Sequence, residues 1–278
     1  MIIDTHIHLY DPTRPEGVPW PEPDDEVLYR TVLPEHAKAQ AVPEGVTGTV
    51  IVEASIWVED NQWILNLAEN EPFIVGLVGN LDPLSEDFAQ NVDRFAANPL
   101  FRGIRPRTHA WEQKGVDNVM ASMEKLASHD LELDTGINES IVEVASRLPE
   151  LRMVINHCAN LPADGNPLDP ARVDLVQRAA EQPNIYIKIS GLMDLRCQIR
   201  PAPTDLDFYR PVIDTLYDAF GEDRVIFGSD WPVHDKSERT YADGLNLVKA
   251  YFAEKGEQAS EKYFWKNARA AYKWIDRT

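Results

Sequence analysis

Met1-Ile-Ile-Asp-Thr-His-Ile-His-Leu9 reads as a β-strand. Ile2 and Ile3 are apolar and β-branched, and His6 and His8 then alternate with Ile7. Residues two apart on a strand point to the same face. The two imidazoles therefore sit one pleat apart near the strand's C-terminal end. Two nitrogens placed so can converge on a Zn²⁺-like ion at about 2.0–2.1 Å each. The pair alone is a weak signal, because two polar residues at a strand end give the same pattern. Its weight depends on what later strands bring to the same end.

Seven further apolar, β-rich runs follow, at residues 49–54, 73–79, 101–105, 131–135, 153–157, 185–190 and 225–229. Helical patterns alternate with them, at 61–70, 85–97, 116–128, 140–148, 169–181, 205–220 and 237–255, and a last one at 261–275 closes the chain. In the first of these Trp63, Ile64 and Leu67 share a face; in the second Phe88, Val92 and Phe95 do. The strand runs are almost continuously apolar, as expected of strands buried on both faces. Regular alternation of strand and helix implies a parallel sheet, and eight is the number that closes a (β/α)₈ barrel. The reading is an α/β protein, a TIM barrel in a single domain spanning residues 1–278. An open doubly wound sheet is the alternative, but no glycine-rich fingerprint follows the first strand.

The 278 residues carry a net charge of −19, which argues against non-specific binding to nucleic acid or to an anionic membrane. Two cysteines, Cys158 and Cys197, form neither a disulfide framework nor a CxxC motif, so a reducing cytoplasm is expected. No signal peptide and no membrane span is expected either. Loops at the C-terminal ends of strands are long after the first, sixth, seventh and eighth. The first of these carries Pro12, Pro15, Pro19, Pro21 and Pro23. In barrels of this kind that end is the catalytic face.

Strand six ends at His157 and strand eight runs into Asp230. With His6 and His8, three imidazoles and one carboxylate point into one barrel mouth. Strands one and eight are neighbours in a closed barrel, so the His6–His8 pair can meet Asp230. Such N/N/N/O ligation suits Zn²⁺ with a position left for water. Asp230 could also act as general base. Each residue alone has a plainer reading, a strand-end histidine bonded to backbone or a turn carboxylate.

His6-Ile7-His8, Asn156-His157, Lys188-Ile-Ser-Gly191 and Phe227-Gly-Ser-Asp-Trp-Pro-Val233 together resemble the amidohydrolase superfamily. More narrowly they resemble its amidohydrolase 2 branch, which holds lactonases acting on sugar lactones and on a pyrone dicarboxylate. Phe101-Arg-Gly-Ile-Arg105 is similar to that branch's fourth-strand motif. The resemblance covers nearly the whole chain. It implies a (β/α)₈ barrel that hydrolyses a lactone, with His6, His8, His157 and Asp230 at active-site positions; the donor set itself suits one divalent metal, Zn²⁺ foremost, and metal dependence does not follow from the resemblance. The bridging modified lysine of binuclear members has no match here: strand four offers Arg105 and strand five Asp134. Some lactonases of the branch work without metal and use these histidines to hold substrate. Decarboxylases and a lactone isomerase are the other reactions implied; the decarboxylases place a further histidine where this chain has Lys188. A non-catalytic ligand-binding barrel is the remaining reading, and an intact His/His/His/Asp set speaks against it.

Further candidates are weaker. Arg105 could clamp a carboxylate or polarise the lactone carbonyl, or serve as a barrel-end ion pair. Arg107 and His109 could do the same. Glu53 and Asp134 could bind sugar hydroxyls or a metal, or answer Arg105. Lys188 faces the barrel interior or the helices, as a substrate group or in a buried ion pair. Trp20, Trp57, Trp111 and Trp231 follow strands one, two, four and eight, so indole faces could ring a sugar at the mouth. Trp63, Trp265 and Trp274 read as packing. Cys158, adjacent to His157 on the strand, is expected to point away from the mouth.

Overall fold

The computed structural model describes residues 1–106 and 114–277. Arg107, His109 and Trp111 lie outside the described residues.

Eight parallel strands run in chain order around the sheet: β1 (Ile3–Ile7), β2 (Gly48–Val52), β3 (Ile74–Gly79), β4 (Phe101–Ile104), β5 (Glu132–Thr135), β6 (Arg152–Ile155), β7 (Ile185–Ile189) and β8 (Val225–Phe227). Helices α1 (Pro34–Ala41), α2 (Glu59–Glu69), α3 (Phe88–Ala96), α4 (Met120–Ser128), α5 (Glu139–Arg147), α6 (Pro170–Ala180), α7 (Leu206–Phe220) and α8 (Tyr241–Lys255) return the chain between and after strands. A C-terminal helical stretch covers Glu257–Glu261 and Asn267–Tyr272, joined by a π-helical turn at Lys262–Lys266. The barrel closes where β1 meets the segment after β8. There Ile7 bridges Trp231, and the His8 N–H donates to the Trp231 carbonyl at 3.0 Å.

The strands are buried on both faces, as the apolar runs required; every residue of β1, β2, β3, β5 and β8 is buried. The helices bury the faces their spacing predicts. In α3 these are Phe88, Val92 and Phe95, with Phe95 stacked 5.4 Å from Phe101 of β4.

Several elements differ from the sequence reading, three of them with a plain physical reason. Helix α1 was hidden behind a proline-rich loop; its own start is a proline at the first helical position, where a missing N–H costs nothing. The helix expected from residue 237 begins at Tyr241, where Thr240 and Asp243 form a reciprocal capping box. The closing helix starts earlier, at Glu257, and stops at Tyr272 because Lys273 turns left-handed at φ 48°.

The long loop after β1 leaves and returns at one point, where Tyr10 and Val32 exchange two backbone hydrogen bonds of 2.9 and 2.8 Å. Ion pairs pin it on both sides: Arg14 to Asp60 of α2, and Arg30 to Asp235 beyond β8, each at 2.6 Å. Its middle thereby lies over the C-terminal end of β1. No helix among the described residues is long and apolar enough to cross a membrane.

Candidate active site

His6 and His8 stand side by side on β1, rings 5.0 Å apart. The Nδ1 of His8 lies 3.0 and 3.1 Å from the carbonyls of Val52 and Glu53. Carbonyls only accept, so Nδ1 carries the proton and Nε2 offers a lone pair to the mouth. That nitrogen lies 3.4 Å from Asp230 Oδ1, and Nε2 of His6 lies 3.5 Å from the same oxygen. Among the described residues, ligating atoms of His6, His8 and Asp230 all fall within 4.8 Å of one another.

Asp230 reaches this point through a strained turn. Its φ is +63°, a region other residues avoid and aspartate tolerates. Its N–H donates to the His6 carbonyl at 2.9 Å, which fixes the turn to β1. Both carboxylate oxygens are buried and, among the described residues, neither has an N–H or hydroxyl donor; the Asp194 carboxyl lies within hydrogen-bonding reach. Burial raises its pKa to about 7, against the pull of Asp194, Arg105 and Lys188. A buried bare carboxylate facing imidazole nitrogens calls for a cation or a proton. The donor set therefore fits one divalent ion.

His6 has a more exacting environment. Arg105 approaches its Nε2 at 3.1 Å and Lys188 Nζ approaches its Nδ1 at 3.1 Å. A neutral imidazole accepts at one nitrogen only, and arginine cannot lose its proton. In the neutral ring only one of the two nitrogens can therefore accept from the cation facing it. Burial, the largest influence on Lys188, pushes it down from the usual lysine range, and its pairing with Asp134 pulls the other way. Burial and then Lys188 hold His6 well below the usual histidine range, so it is neutral.

Lys188 and Asp134 are fully buried and paired at 2.6 Å, and Tyr272 from the C-terminal stretch donates to the other Asp134 oxygen at 2.7 Å. Both were candidates to touch substrate; they lie instead in the barrel interior behind His6. Arg105 is answered by Glu53 at 2.7 Å and also reaches the Glu53 carbonyl at 3.1 Å.

His157 arrives differently from its partners. Strand β6 stops at Ile155, and His157, Cys158, Ala159 and Asn160 all take left-handed φ of 47–59°. L-residues pay roughly 1–2 kcal/mol each for this conformation. The turn brings the His157 ring to 4.4 Å from that of His6 and its Nδ1 to 3.1 Å from Ser190 Oγ. The same nitrogen is 3.8 Å from Asp230 Oδ2. His157 thus borders the site but stands outside the His6, His8, Asp230 group, a difference from the four-ligand set read in the sequence. Gly191 makes room: a Cβ there would lie 3.1 Å from His157 Nδ1. Cys158 is buried, as expected, but strand alternation is not the reason. The left-handed turn sends its Sγ to the Ser190 carbonyl at 3.3 Å, and burial pushes the thiol up to about 12.

The tryptophans separate. Trp20, at the middle of the long loop, sets its ring edge-on to His8 at 5.7 Å. Trp231 is buried at the closing seam under the Arg30 guanidinium, so its indole face is not open to the mouth. Trp57 is exposed and lines an outer groove with Trp63, Arg14 and Gln62.

One residue was missed altogether. Asp194, in a π-helical turn after β7, is buried with no N–H or hydroxyl donor on either oxygen among the described residues. Burial and then repulsion from Asp230 raise it well above the carboxylate range. Two facing carboxylates of this kind can hold one proton between them. Its distance from His6 and His8 in sequence and its place in an irregular turn left no periodic signal.

The sequence profile of the amidohydrolase family matches residues 3–274. The chain belongs to the amidohydrolase family. It is 31% identical over 238 residues to an L-fucono-1,5-lactonase of Burkholderia ambifaria, covering 83% of this chain and 80% of that one. Its fold matches an amidohydrolase from Burkholderia multivorans, solved with bound zinc, at a TM-score of 0.87 and 22% identity, over 99% of this chain and 100% of that one. It also matches a probable 2-pyrone-4,6-dicarboxylic acid hydrolase of Acinetobacter baumannii, with citric acid bound, at a TM-score of 0.75 and 18% identity, over 98% and 99%.

Proposed function

We propose that this amidohydrolase is a lactonase that opens the ring of an uncharged sugar lactone by attack of water. The observation that carries this reading is Asp230, a buried carboxylate with two bare oxygens among three imidazoles at the barrel mouth. Its raised pKa, about 7, suits a group that takes a proton from water and returns it to the departing ring oxygen. Arg105 and His157 flank the place where the carbonyl oxygen would gain charge, and their donors stabilise it there. Trp20 offers an edge of the mouth for the sugar ring. His6, His8 and Asp230 would hold one divalent ion, with zinc favoured by the two-nitrogen, one-oxygen donor set. Such an ion supplies Lewis-acid polarisation and a more acidic bound water. Without it the same histidines would serve as hydrogen-bonding groups for substrate.

Charge supports an uncharged ring over a dicarboxylate. Arg105 and Lys188 are each already answered by a carboxylate, Glu53 and Asp134. Asp230 and Asp194 add no positive charge to the mouth. The name of the Burkholderia ambifaria relative points the same way. We further take residues 1–278 as one barrel domain acting in the cytoplasm, in keeping with two buried, unpaired cysteines.

The test is ring opening of a panel of aldonolactones and of 2-pyrone-4,6-dicarboxylate, followed by acid release, for wild type and Asp230→Asn. Turnover of neutral lactones, lost by a factor of about 10³ or more in the variant, is expected for removal of a general base at a site that also loses a ligand. Wild-type rates in Asp230→Asn, or turnover of the dicarboxylate alone, would overturn the reading.

A further inference from the structure

Strands β1 and β8 meet without a regular ladder; among the described residues their backbone pairing is the bridge of Ile7 to Trp231. A side chain takes over where the ladder is missing. Asp4 is fully buried. Its Oδ1 accepts from the His6 N–H at 3.1 Å and from the Ser229 N–H at 2.9 Å. Its Oδ2 accepts from the Tyr241 hydroxyl at 2.8 Å. One oxygen thus holds the backbone of a candidate metal ligand and the backbone of the residue just before another.

Little slack exists at this seam. A Cβ on Gly228 would lie 2.8 Å from the His6 Cβ, so the β8 backbone rests directly on His6. The 3.5 Å gap from His6 Nε2 to Asp230 Oδ1 is spanned across it. Asp230 at its positive φ is held to β1 by its own N–H on the His6 carbonyl at 2.9 Å, and one residue back the Ser229 N–H is held by Asp4 at 2.9 Å.

We propose that Asp4 is a positioning residue for the His6, His8, Asp230 triad. By gathering the His6 and Ser229 N–H groups on one carboxylate oxygen, it sets the spacing of the β1 histidines against Asp230. Tyr241, the first residue of α8, holds the second oxygen and so fixes the rotation of the carboxylate. The inference deepens the metal-site part of the proposed function, but its test needs no lactone, so failure of the lactonase reading would be seen separately.

The experiment uses the full chain, stripped of metal, as wild type, Asp4→Ala, Asp4→Asn and Tyr241→Phe. Zinc affinity is measured by calorimetry at a temperature where each protein is folded, and crystal structures give the His6–Asp230 gap. Asp4→Ala is expected to weaken zinc binding by about 10–100-fold, the range found for groups that orient ligands, and to widen the gap. Asp4→Asn keeps an oxygen for both N–H groups and turns its amide to the Tyr241 oxygen, so it should stay near wild type. Tyr241→Phe, which retains the carboxylate, should fall between them, and it decides the matter should Asp4→Ala not fold. An Asp4→Ala protein that melts earlier yet binds zinc like wild type with an unchanged gap would show a purely structural role and overturn the proposal. Wild-type affinity in Tyr241→Phe when Asp4→Ala does not fold would do the same. So would a loss in Asp4→Asn as large as that in Asp4→Ala, which would assign the effect to charge. If the wild type takes up no zinc, the crystallographic gap alone decides, on the same terms.

Discussion

Asp230 shows what function costs at the scale of one residue. Burial pushes its carboxyl up to about 7, and a tenfold change in a protonation equilibrium corresponds to about 1.4 kcal/mol. The folded, metal-free protein therefore binds a proton at Asp230 that the unfolded chain has released between about pH 4 and 7. Because the folded pKa is the higher one, stability contributed by this group falls as pH rises through that window. Asp230→Asn should then stabilise the metal-free protein at pH 8 by a few kcal/mol, and far less at pH 4, while abolishing turnover; urea melts at the two pH values read this directly. An equal shift at both would show that the carboxyl is not perturbed. A base must be ionised to work, so any turnover by metal-free enzyme should rise with pH through about 7 and then level. His157 contributes no competing step near neutrality, since burial and then Arg105 hold it well below the usual histidine range.

Elements carry the residues to the mouth, and they differ in how plainly the chain announces them. The strands were legible because both faces are buried, which writes an apolar run into each. The His6–His8 pair was legible because strand geometry alone places it. His157 was legible as a residue but not as a geometry: nothing in Asn156-His157-Cys158-Ala159-Asn160 signals four successive left-handed residues. The turn packs against Ser190 and Gly191 of the next βα unit, contacts distant in sequence that no local pattern records. Gly191 holds φ +64° and has His157 at its back. Gly191→Ala should cost roughly 1–2 kcal/mol for the backbone alone and lower kcat by displacing the imidazole; an unchanged melting temperature would contradict that. Asp194 left no trace because a π-helical turn has no period to detect. Tryptophans were found by their place in loops, yet place does not give orientation, and only Trp20 of the described candidates lies against the histidines. Lys188 of β7 and Asp134 of β5, whose roles were open in the sequence, form a buried ion pair at 2.6 Å. Lys188→Met would strand Asp134 in the interior, a loss of about 3–5 kcal/mol when one partner of a buried pair is removed. Pairing it with Asp134→Leu should recover much of that. Urea unfolding of the single and double variants tests the coupling, and additive losses would refute it.

For the molecule as a whole, ligand binding and folding are one equilibrium. If His6, His8 and Asp230 hold zinc, free zinc at a hundred times its dissociation constant adds about 2.7 kcal/mol to stability. A melting temperature that rises with zinc in wild type and not in His8→Ala is expected; equal shifts in both would place the ion elsewhere. The charge of −19 favours no anion at a distance, so entry of an uncharged ring needs no electrostatic steering and its rate should vary little with salt.

The closing seam also orders events during synthesis. Asp4 and Ser229 are 225 positions apart in the chain. A ribosome therefore releases the two histidines long before the carboxylate that completes their set. Until β8 emerges, β1 is an open sheet edge with backbone groups that want partners, and closure across so long a span is the slow kind of contact. A nascent chain that met a metal ion would offer it two nitrogens and nothing more. Any metal loading would thus be a property of the finished barrel, since the last strand made is the one that brings Asp230 to the pair of histidines.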